Sequence, residues 1–183
     1  MKYLKFIGAF LIGALLTLST GAQAQKLISQ NWVVDLNGQK NEAYTANDSK
    51  SSFGVFCSGE KCLFYLHQAL KCDPGAKYSV LMNSQAVSTA LSMECTQIGG
   101  NLFQILDPFE AVLKATQTGE MIGFAVALQS GAFAVTRFSL VGAKPAIERA
   151  LLEAAKSKFR DQKPPLENPQ NSTPKSTLKD IAI

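Results

Sequence analysis

The stretch FGVFCSGEKCLFYLHQALKCDPGAKYSVLMNSQAVSTALSMEC, residues 53–95, decides the fold of this chain. Residues 53–57 and 62–66 are aromatic-rich runs on either side of a four-residue turn that contains glycine, which is the pattern of a β-hairpin. Residues 78–83 form a further short apolar run, and residues 87–95 alternate apolar and polar side chains as a half-buried strand does. The stretch therefore predicts a group of antiparallel strands.

All the cysteines of the chain lie in this stretch: Cys57, Cys62, Cys72 and Cys95. Four cysteines allow three pairings. The hairpin favours Cys57 with Cys62, because these residues would face each other where the turn closes, near the ~5.5 Å Cα separation typical of a disulfide. This pairing leaves Cys72 with Cys95. The alternatives are a metal site or a redox-active thiol pair, but the chain lacks the Cys-x-x-Cys spacing that both favour. We therefore expect two structural disulfides and no metal.

The first 24 residues have the form of an export signal. Lys2 and Lys5 provide a basic start, residues 6–18 are an uncharged apolar run, and Ala22-Gln-Ala24 has the small-x-small form of a cleavage site. In a helix, the apolar run would span only about 20 Å, whereas a bilayer core is roughly 30 Å thick. We expect cleavage between Ala24 and Gln25 rather than retention as a membrane anchor. The mature protein would be periplasmic, or secreted to the cell surface, without stable membrane insertion.

Strand patterns continue on both sides of the cysteine-rich stretch. A first strand is predicted at residues 26–34, and residues 36–52 are predicted to be a long polar loop with at most a weak strand at 43–45. After Cys95, strands are predicted at 102–106, 121–128 and 132–140. The last two are nearly unbroken apolar runs, which indicates strands covered on both faces, as in the interior of a sandwich.

Two helices and a tail complete the prediction. Residues 109–116 favour a short helix, and Pro145 precedes an amphipathic helix over 146–159. Residues 161–183 are polar and rich in proline, so we expect a disordered tail. The predicted fold is mainly β: a disulfide-linked antiparallel β-sandwich with a C-terminal helix at residues 25–160, between a signal peptide at 1–24 and the tail.

Charge and motifs argue against several classes of function. The formal net charge is +4, but Lys and Arg are in excess only near the two ends, and residues 25–155 carry ten basic and eleven acidic side chains. A nucleic-acid partner is not expected, because such domains concentrate basic residues on the folded body. His67 is the only histidine, no G-x-S-x-G surrounds a serine, and Asp107 with Glu110 is a lone acidic pair. We expect no catalytic residues and no cofactor.

Several short motifs together resemble the invasion-associated locus B family of exported bacterial proteins. They are Asn31-Trp-Val-Val, the Cys57 and Cys62 hairpin, Cys72-Asp-Pro-Gly followed by Tyr78-Ser-Val-Leu-Met-Asn, Cys95, and Arg137-Phe-Ser-Leu-Val-Gly-Ala before the final helix. The resemblance covers roughly residues 31–152. It implies a disulfide-linked β-sandwich of the periplasm or cell surface, with links to host-cell entry in some bacteria, and it does not imply an enzyme.

These observations lead to a main hypothesis and an alternative. The main hypothesis is a non-catalytic envelope protein that binds a protein or envelope partner and aids interaction with a host cell. The alternative is an accessory or structural component of an envelope secretion or conjugation apparatus. A thiol–disulfide enzyme is a third hypothesis, in which Cys57 and Cys62 would be catalytic.

Overall fold

A computed structural model describes residues 25–161 except 39, 71, 99 and 129, with side chains described as far as residue 156. The predicted signal peptide at residues 1–24 and the predicted tail beyond residue 161 lie outside the described residues. The boundary between Ala24 and Gln25 is therefore not tested, and cleavage there stays a prediction.

The described residues form one antiparallel sheet of ten strands and two helices. The strands are β1 (Gln25–Ser29), β2 (Trp32–Asn37), β3 (Lys40–Ala46), β4 (Ser52–Ser58), β5 (Lys61–His67), β6 (Lys77–Ser84), β7 (Ser88–Ile98), β8 (Asn101–Asp107), β9 (Met121–Ala127) and β10 (Phe133–Ser139). The helices are α1 (Phe109–Ala115) and α2 (Ala143–Asp161). Across the sheet, the strands follow the order β1-β2-β3-β4-β5-β8-β7-β6-β9-β10.

The sheet bends so that its two halves face each other across a shared core. Phe53 of β4 lies 5.2 Å from Phe124 of β9 and 5.7 Å from Phe138 of β10, measured between ring centroids. Trp32 of β2 packs edge-on against Phe53 at 5.8 Å. All these side chains are almost completely buried. The expectation of a mainly β, sandwich-like fold with two disulfides and a C-terminal helix is confirmed, with the sandwich formed by one half-barrel sheet.

Contacts between the two ends of the sheet hold the bend. The indole N–H of Trp32 donates to the Ser139 carbonyl at 2.9 Å, and the backbone N–H of Asn31 donates to the Val141 carbonyl at 3.3 Å. Gly142 follows β10 with a φ of +90°, and a Cβ there would lie 2.1 Å from the Ser29 carbonyl oxygen. Any larger residue would therefore push the β1–β2 turn away from the end of β10.

The helices cover the inner face of the sheet. Helix α2 packs on β2, β3 and β4 through a stripe of small residues and one isoleucine: Ala143, Ala146, Ile147, Ala150 and Ala154. Alanines on the contact face let the helix approach the sheet closely. Helix α1 packs beside β5 and β8, where the ring of Phe109 lies 4.8 Å from that of Phe64. Both helices are close to their predicted positions.

The predicted long loop at residues 36–52 is wrong. The structure has β2 continuing to Asn37 and a complete strand β3, which leaves only residues 47–51 between β3 and β4. The sequence obscures β3 because two of its inward-facing residues, Asn41 and Thr45, are polar yet buried. Thr45 Oγ1 donates to the Asn31 carbonyl at 2.8 Å, and Asn41 Nδ2 to the Gly38 carbonyl at 3.4 Å, so their burial is compensated.

The single first strand predicted at residues 26–34 is also wrong. Two strands occupy this region, because Gln30 has a φ of +53° and the chain reverses at Gln30-Asn31. Sequence alternation continues across the turn, which has no glycine or proline to mark it.

One disulfide joins two strands, and a second joins the connection between β5 and β6 to a strand. Cys57 and Cys62 lie opposite each other in β4 and β5, with a Cα separation of 4.0 Å, and Cys72 is bonded to Cys95 of β7, with a Cα separation of 6.0 Å. This is the pairing that the hairpin pattern favours. The chain-entropy model assigns more stabilisation to the larger Cys72–Cys95 loop, about 3 kcal/mol against about 2 kcal/mol for the short loop.

Replacing Trp32 by Phe should lower the free energy of unfolding by about 1–3 kcal/mol, because it removes the bond to the Ser139 carbonyl and leaves that acceptor without its donor. Urea unfolding followed by far-UV circular dichroism measures the change. The control is Ile28→Ala on the same hairpin, where the side chain is 80% exposed and a change within about 0.5 kcal/mol is expected. If Trp32→Phe is as stable as the native protein, the hydrogen bond from Trp32 does not help to hold the two ends of the sheet together.

Candidate functional site

The outer face of the sheet has an apolar cleft of about 190 Å³ where β3, β4, β5, β7 and β8 run side by side. In a strand, successive side chains alternate between the two faces, so the residues between the inward-facing core positions point outward. Here many of those outward residues are apolar rather than polar. The lining residues are Glu42, Phe56, Leu63, Tyr65, Ile98, Phe103 and Ile105.

Strand register brings the lining residues together. Glu42 lies opposite Phe56, and Phe56 lies opposite Leu63, so these three form a row across β3, β4 and β5. Tyr65 lies opposite Ile105 in the adjacent row. Side chains directly opposite on one face of a sheet are about 4.5–5.5 Å apart at Cβ, so the rows form a continuous apolar surface.

A hydrogen bond between Tyr65 and Glu42 crosses the intervening strand. The Tyr65 hydroxyl donates to Glu42 Oε1, although β4 lies between β5 and β3. In β4, Gly54 stands opposite both Tyr44 and Tyr65. A Cβ on Gly54 would lie 2.7 Å from the Tyr44 Cβ, so glycine leaves the outer surface of β4 clear at this point.

The environment of this pair changes its protonation. Burial is the largest effect on Glu42 and raises the pKa of its carboxyl above 4.5, although the hydrogen bond from Tyr65 partly offsets it. The negative charge of Asp35, which lies opposite Glu42 in β2, raises it further. Burial and the neighbouring Glu42 also raise the pKa of the Tyr65 hydroxyl, which therefore remains a donor at neutral pH. The cleft thus combines apolar walls with one carboxyl group.

His67 lies beside the cleft and has a packing role. Its Nδ1 is 2.9 Å from the Leu102 carbonyl oxygen, and its ring lies 5.0 Å from that of Phe103. Phe103 in turn meets Tyr65 edge-on at 5.4 Å. Asp107 and Glu110 stand where β8 gives way to α1, and neither lines the cleft. The structure therefore does not bring His67, Asp107 and Glu110 together in one site.

A second cavity, of about 330 Å³, opens near the Cys72–Cys95 disulfide. Gln104 lines it and is completely buried; its Nε2 lies 3.7 Å from Cys72 Sγ, and its Oε1 has no hydrogen-bond partner among the described residues. Asp73 and Tyr78 add polar groups to the wall, so this cavity is more polar than the outer cleft.

The four cysteines occupy structural positions. Cys57 is fully buried in the core. Cys62 is partly buried and packs against the core beside Phe109 and α2. In residues 25–161, apart from the gaps given above, no group of three or more His, Cys, Asp or Glu side chains could hold a metal ion. In the same part of the chain, none of the helices has the length and apolar character needed to cross a membrane.

Sequence reasoning missed the outer cleft. The sequence does contain a pattern that is consistent with the cleft, because residues 62–66 and 102–106 are apolar at both odd and even positions. Such runs are typical of strands buried on both faces. In the structure, however, helices cover the inner face of β5 and β8, and no described element covers the outer face.

Comparisons with known proteins give a structural similarity and no sequence match. No protein-family description matches the chain, and no curated protein matches it. The structure is similar to the crystal structure of invasion-associated protein B from Bartonella henselae, with a TM-score of 0.53, 13% identity, and coverage of 73% of this chain and 99% of that one. At this identity the similarity shows the fold. The chain therefore has a fold like that of invasion-associated protein B.

Replacing Glu42 by Gln should change how stability depends on pH. A carboxyl whose pKa is raised by folding stabilises the protein below its unfolded-state value, near 4.5, and loses that contribution as the pH rises through the folded-state value. From pH 4.5 towards neutral, the free energy of unfolding of the native protein should therefore fall relative to that of Glu42→Gln. Urea titrations at successive pH values measure the difference.

The matched control for this prediction is Glu148→Gln, at an exposed position on α2. Its stability relative to the native protein should change little over the same pH range. If the stability difference between Glu42→Gln and the native protein is as flat with pH as that of the control, the description of Glu42 as a partly buried carboxyl with a raised pKa is wrong.

Proposed function

We propose that this protein is an exported envelope protein of the invasion-associated type and that it binds a protein partner through the outer cleft. The observation that carries the proposal is the cleft itself: apolar side chains from four strands, with Glu42 from a fifth, converge on a face that no described element covers. Exposed apolar concavities of this kind are typical of interaction sites. The fold similarity to invasion-associated protein B supports the assignment to this type.

Two features support export. Disulfides form and persist in oxidising compartments, and both pairs of cysteines are bonded in this fold. The sequence of residues 1–24 independently predicts a cleaved signal peptide. The periplasm or the cell surface is the location that we propose.

The size and charge of the cleft indicate what it would bind. Pockets for drug-sized small molecules are usually roughly 300–1,000 Å³, so a volume of about 190 Å³ better suits one anchoring side chain of a partner protein. The carboxyl groups of Glu42 and Asp35 lie in neighbouring strands of this face. A partner segment with an aliphatic or aromatic anchor next to a basic residue would complement both features.

Export predicts a defined covalent form. Protein recovered from the periplasm or medium of an expressing bacterium should begin at Gln25 and contain both disulfides. Intact mass spectrometry, followed by non-reducing proteolysis, measures the N-terminus and the linked peptides. Recovery of an uncleaved chain with free thiols in the cytoplasm would contradict the proposal.

The cleft predicts a variant that loses binding. Ile98 is 48% exposed at the cleft, so Ile98→Asp should add a charge to the apolar surface without disturbing the core. In pull-downs from the envelope fraction of the native organism, the native protein should retain a stoichiometric partner, and Ile98→Asp should retain at least about tenfold less, because burying an unpaired charge costs several kcal/mol.

The control is Ile28→Asp, which places the same charge at an exposed isoleucine of β1. It should retain the partner at the native level, and circular dichroism should show that both variants are folded. Equal recovery of the partner with Ile98→Asp would rule out the cleft as the binding surface.

A further inference from the structure

A second apolar patch lies on the outer face of β6, β9 and β10, away from the cleft in the strand order. Val135 lies opposite Ala125, which lies opposite Leu81, so these residues form one row across the three strands. The patch consists of four residues that are each about half exposed: Leu81, Met121, Phe133 and Val135. An exposed apolar patch on the last strands of a sheet marks an interaction surface.

The backbone of β10 is open beside this patch. Among the described strands, β10 pairs only with β9 and ends the sheet. Backbone groups of successive residues in a strand point to opposite sides, and the Leu140 N–H donates towards β9, to the Glu120 carbonyl, at 2.7 Å. The N–H and C=O groups of the even-numbered residues of β10 therefore point towards β9. The N–H and C=O groups of Phe133 and Val135 point to the free edge.

The remainder of this edge is already occupied. The Arg137 carbonyl accepts a hydrogen bond from Asn47 Nδ2 at 3.2 Å, and the Ser139 carbonyl accepts one from the Trp32 indole at 2.9 Å. Both carbonyls point to the same side as those of Phe133 and Val135. A strand that adds to this edge can therefore pair with only about three residues, 133–135, before it meets Asn47.

We propose that residues 133–135 pair antiparallel with the same residues of a second copy of this chain. In this register, Phe133 lies opposite Val135 of the second copy and Val135 lies opposite its Phe133. A two-fold axis then passes beside Ala134, and the two residue pairs form four backbone hydrogen bonds. An interface of this kind is self-complementary, as two-fold symmetric dimers require, and each aromatic ring meets a β-branched side chain.

Length and charge favour a second copy as the occupant. The open segment is short, and its own sequence supplies a partner segment of the same short length. Arg137, the charged residue of β10, lies outside the three paired residues, where Asn47 already occupies the edge. The two arginines are on opposite sides of the axis, so pairing does not bring like charges together.

A cysteine substitution tests the register. In the proposed dimer, Ala134 faces Ala134 of the second copy in a pair without mutual hydrogen bonds, the relation that Cys57 and Cys62 have in the β4–β5 hairpin. Ala134→Cys should therefore form an intermolecular disulfide on mild oxidation, visible as a doubled mass without reductant. Ala132→Cys is the matched control, since position 132 lies off the axis and should cross-link at least tenfold less.

Sedimentation velocity over a concentration series tests the dimer without cysteines. The purified exported protein should show a dimer fraction that grows with concentration, and Val135→Lys should remain monomeric. Leu152→Lys, at a similarly exposed leucine on α2, should dimerise like the native protein.

Three results would overturn the proposal: a native monomer at all concentrations, a dimer that persists in Val135→Lys, or cross-linking of Ala132→Cys as efficient as that of Ala134→Cys. A monomer with the Val135 amide protected from hydrogen exchange would place another segment of the same chain on the edge. That result would also exclude the second copy. None of these results bears on the outer cleft, so this proposal and the proposed function can fail separately.

Discussion

The fold depends on the contact between the first hairpin and the end of the last strand. Without it, ten antiparallel strands would form an open twisted sheet whose aromatic side chains face water. The indole of Trp32 bonds to the Ser139 carbonyl and packs on Phe53, so one side chain contributes both a hydrogen bond and apolar burial to the closure. Gly142 permits this approach, because any Cβ there would collide with the β1–β2 turn.

Closure also determines which apolar surfaces remain exposed. Once the halves face each other, the aromatic cluster and the two helices pack against the inner surface, and the outer face stays exposed. Two apolar regions lie there: the cleft at Tyr65 and the patch beside Val135. The bonds from Trp32 and Asn47 to β10 shorten the open edge of the last strand, so the same contact that closes the sheet limits what can add to it. The fold therefore separates a stable interior from two exposed sites.

Part of the fold follows from local sequence. The hairpin with Cys57 and Cys62 could be predicted because two short aromatic runs flank a glycine-containing turn, and the pairing of Cys72 with Cys95 then followed. Strand β3 could not be predicted, because the buried polar residues Asn41 and Thr45 interrupt its apolar pattern. Their hydrogen-bond acceptors are backbone carbonyls that come into place only in the folded chain. The closing bond joins residues 107 positions apart and uses a backbone carbonyl, which every residue has. No local pattern marks such a contact.

The outer cleft was missed for a related reason. Apolar residues at both odd and even positions of β5 and β8 are consistent with burial on two faces or with an exposed binding surface, and sequence periodicity is the same in both cases. The structure distinguishes them, because α1 and α2 pack on the inner face only. The carboxyl of Glu42, whose pKa is raised by burial, gives this surface a polar group that no motif predicted.

Hydrogen exchange of the Trp32 indole N–H, followed by NMR, tests the closure of the sheet most directly. If the ends of the sheet are joined, this proton should exchange only through global unfolding, with a protection free energy equal to that of the Val55 amide in the centre of β4. Rapid exchange of the indole proton while Val55 stays protected would mean that the ends of the sheet are not joined in solution. The inner core and both outer sites would then need a different description.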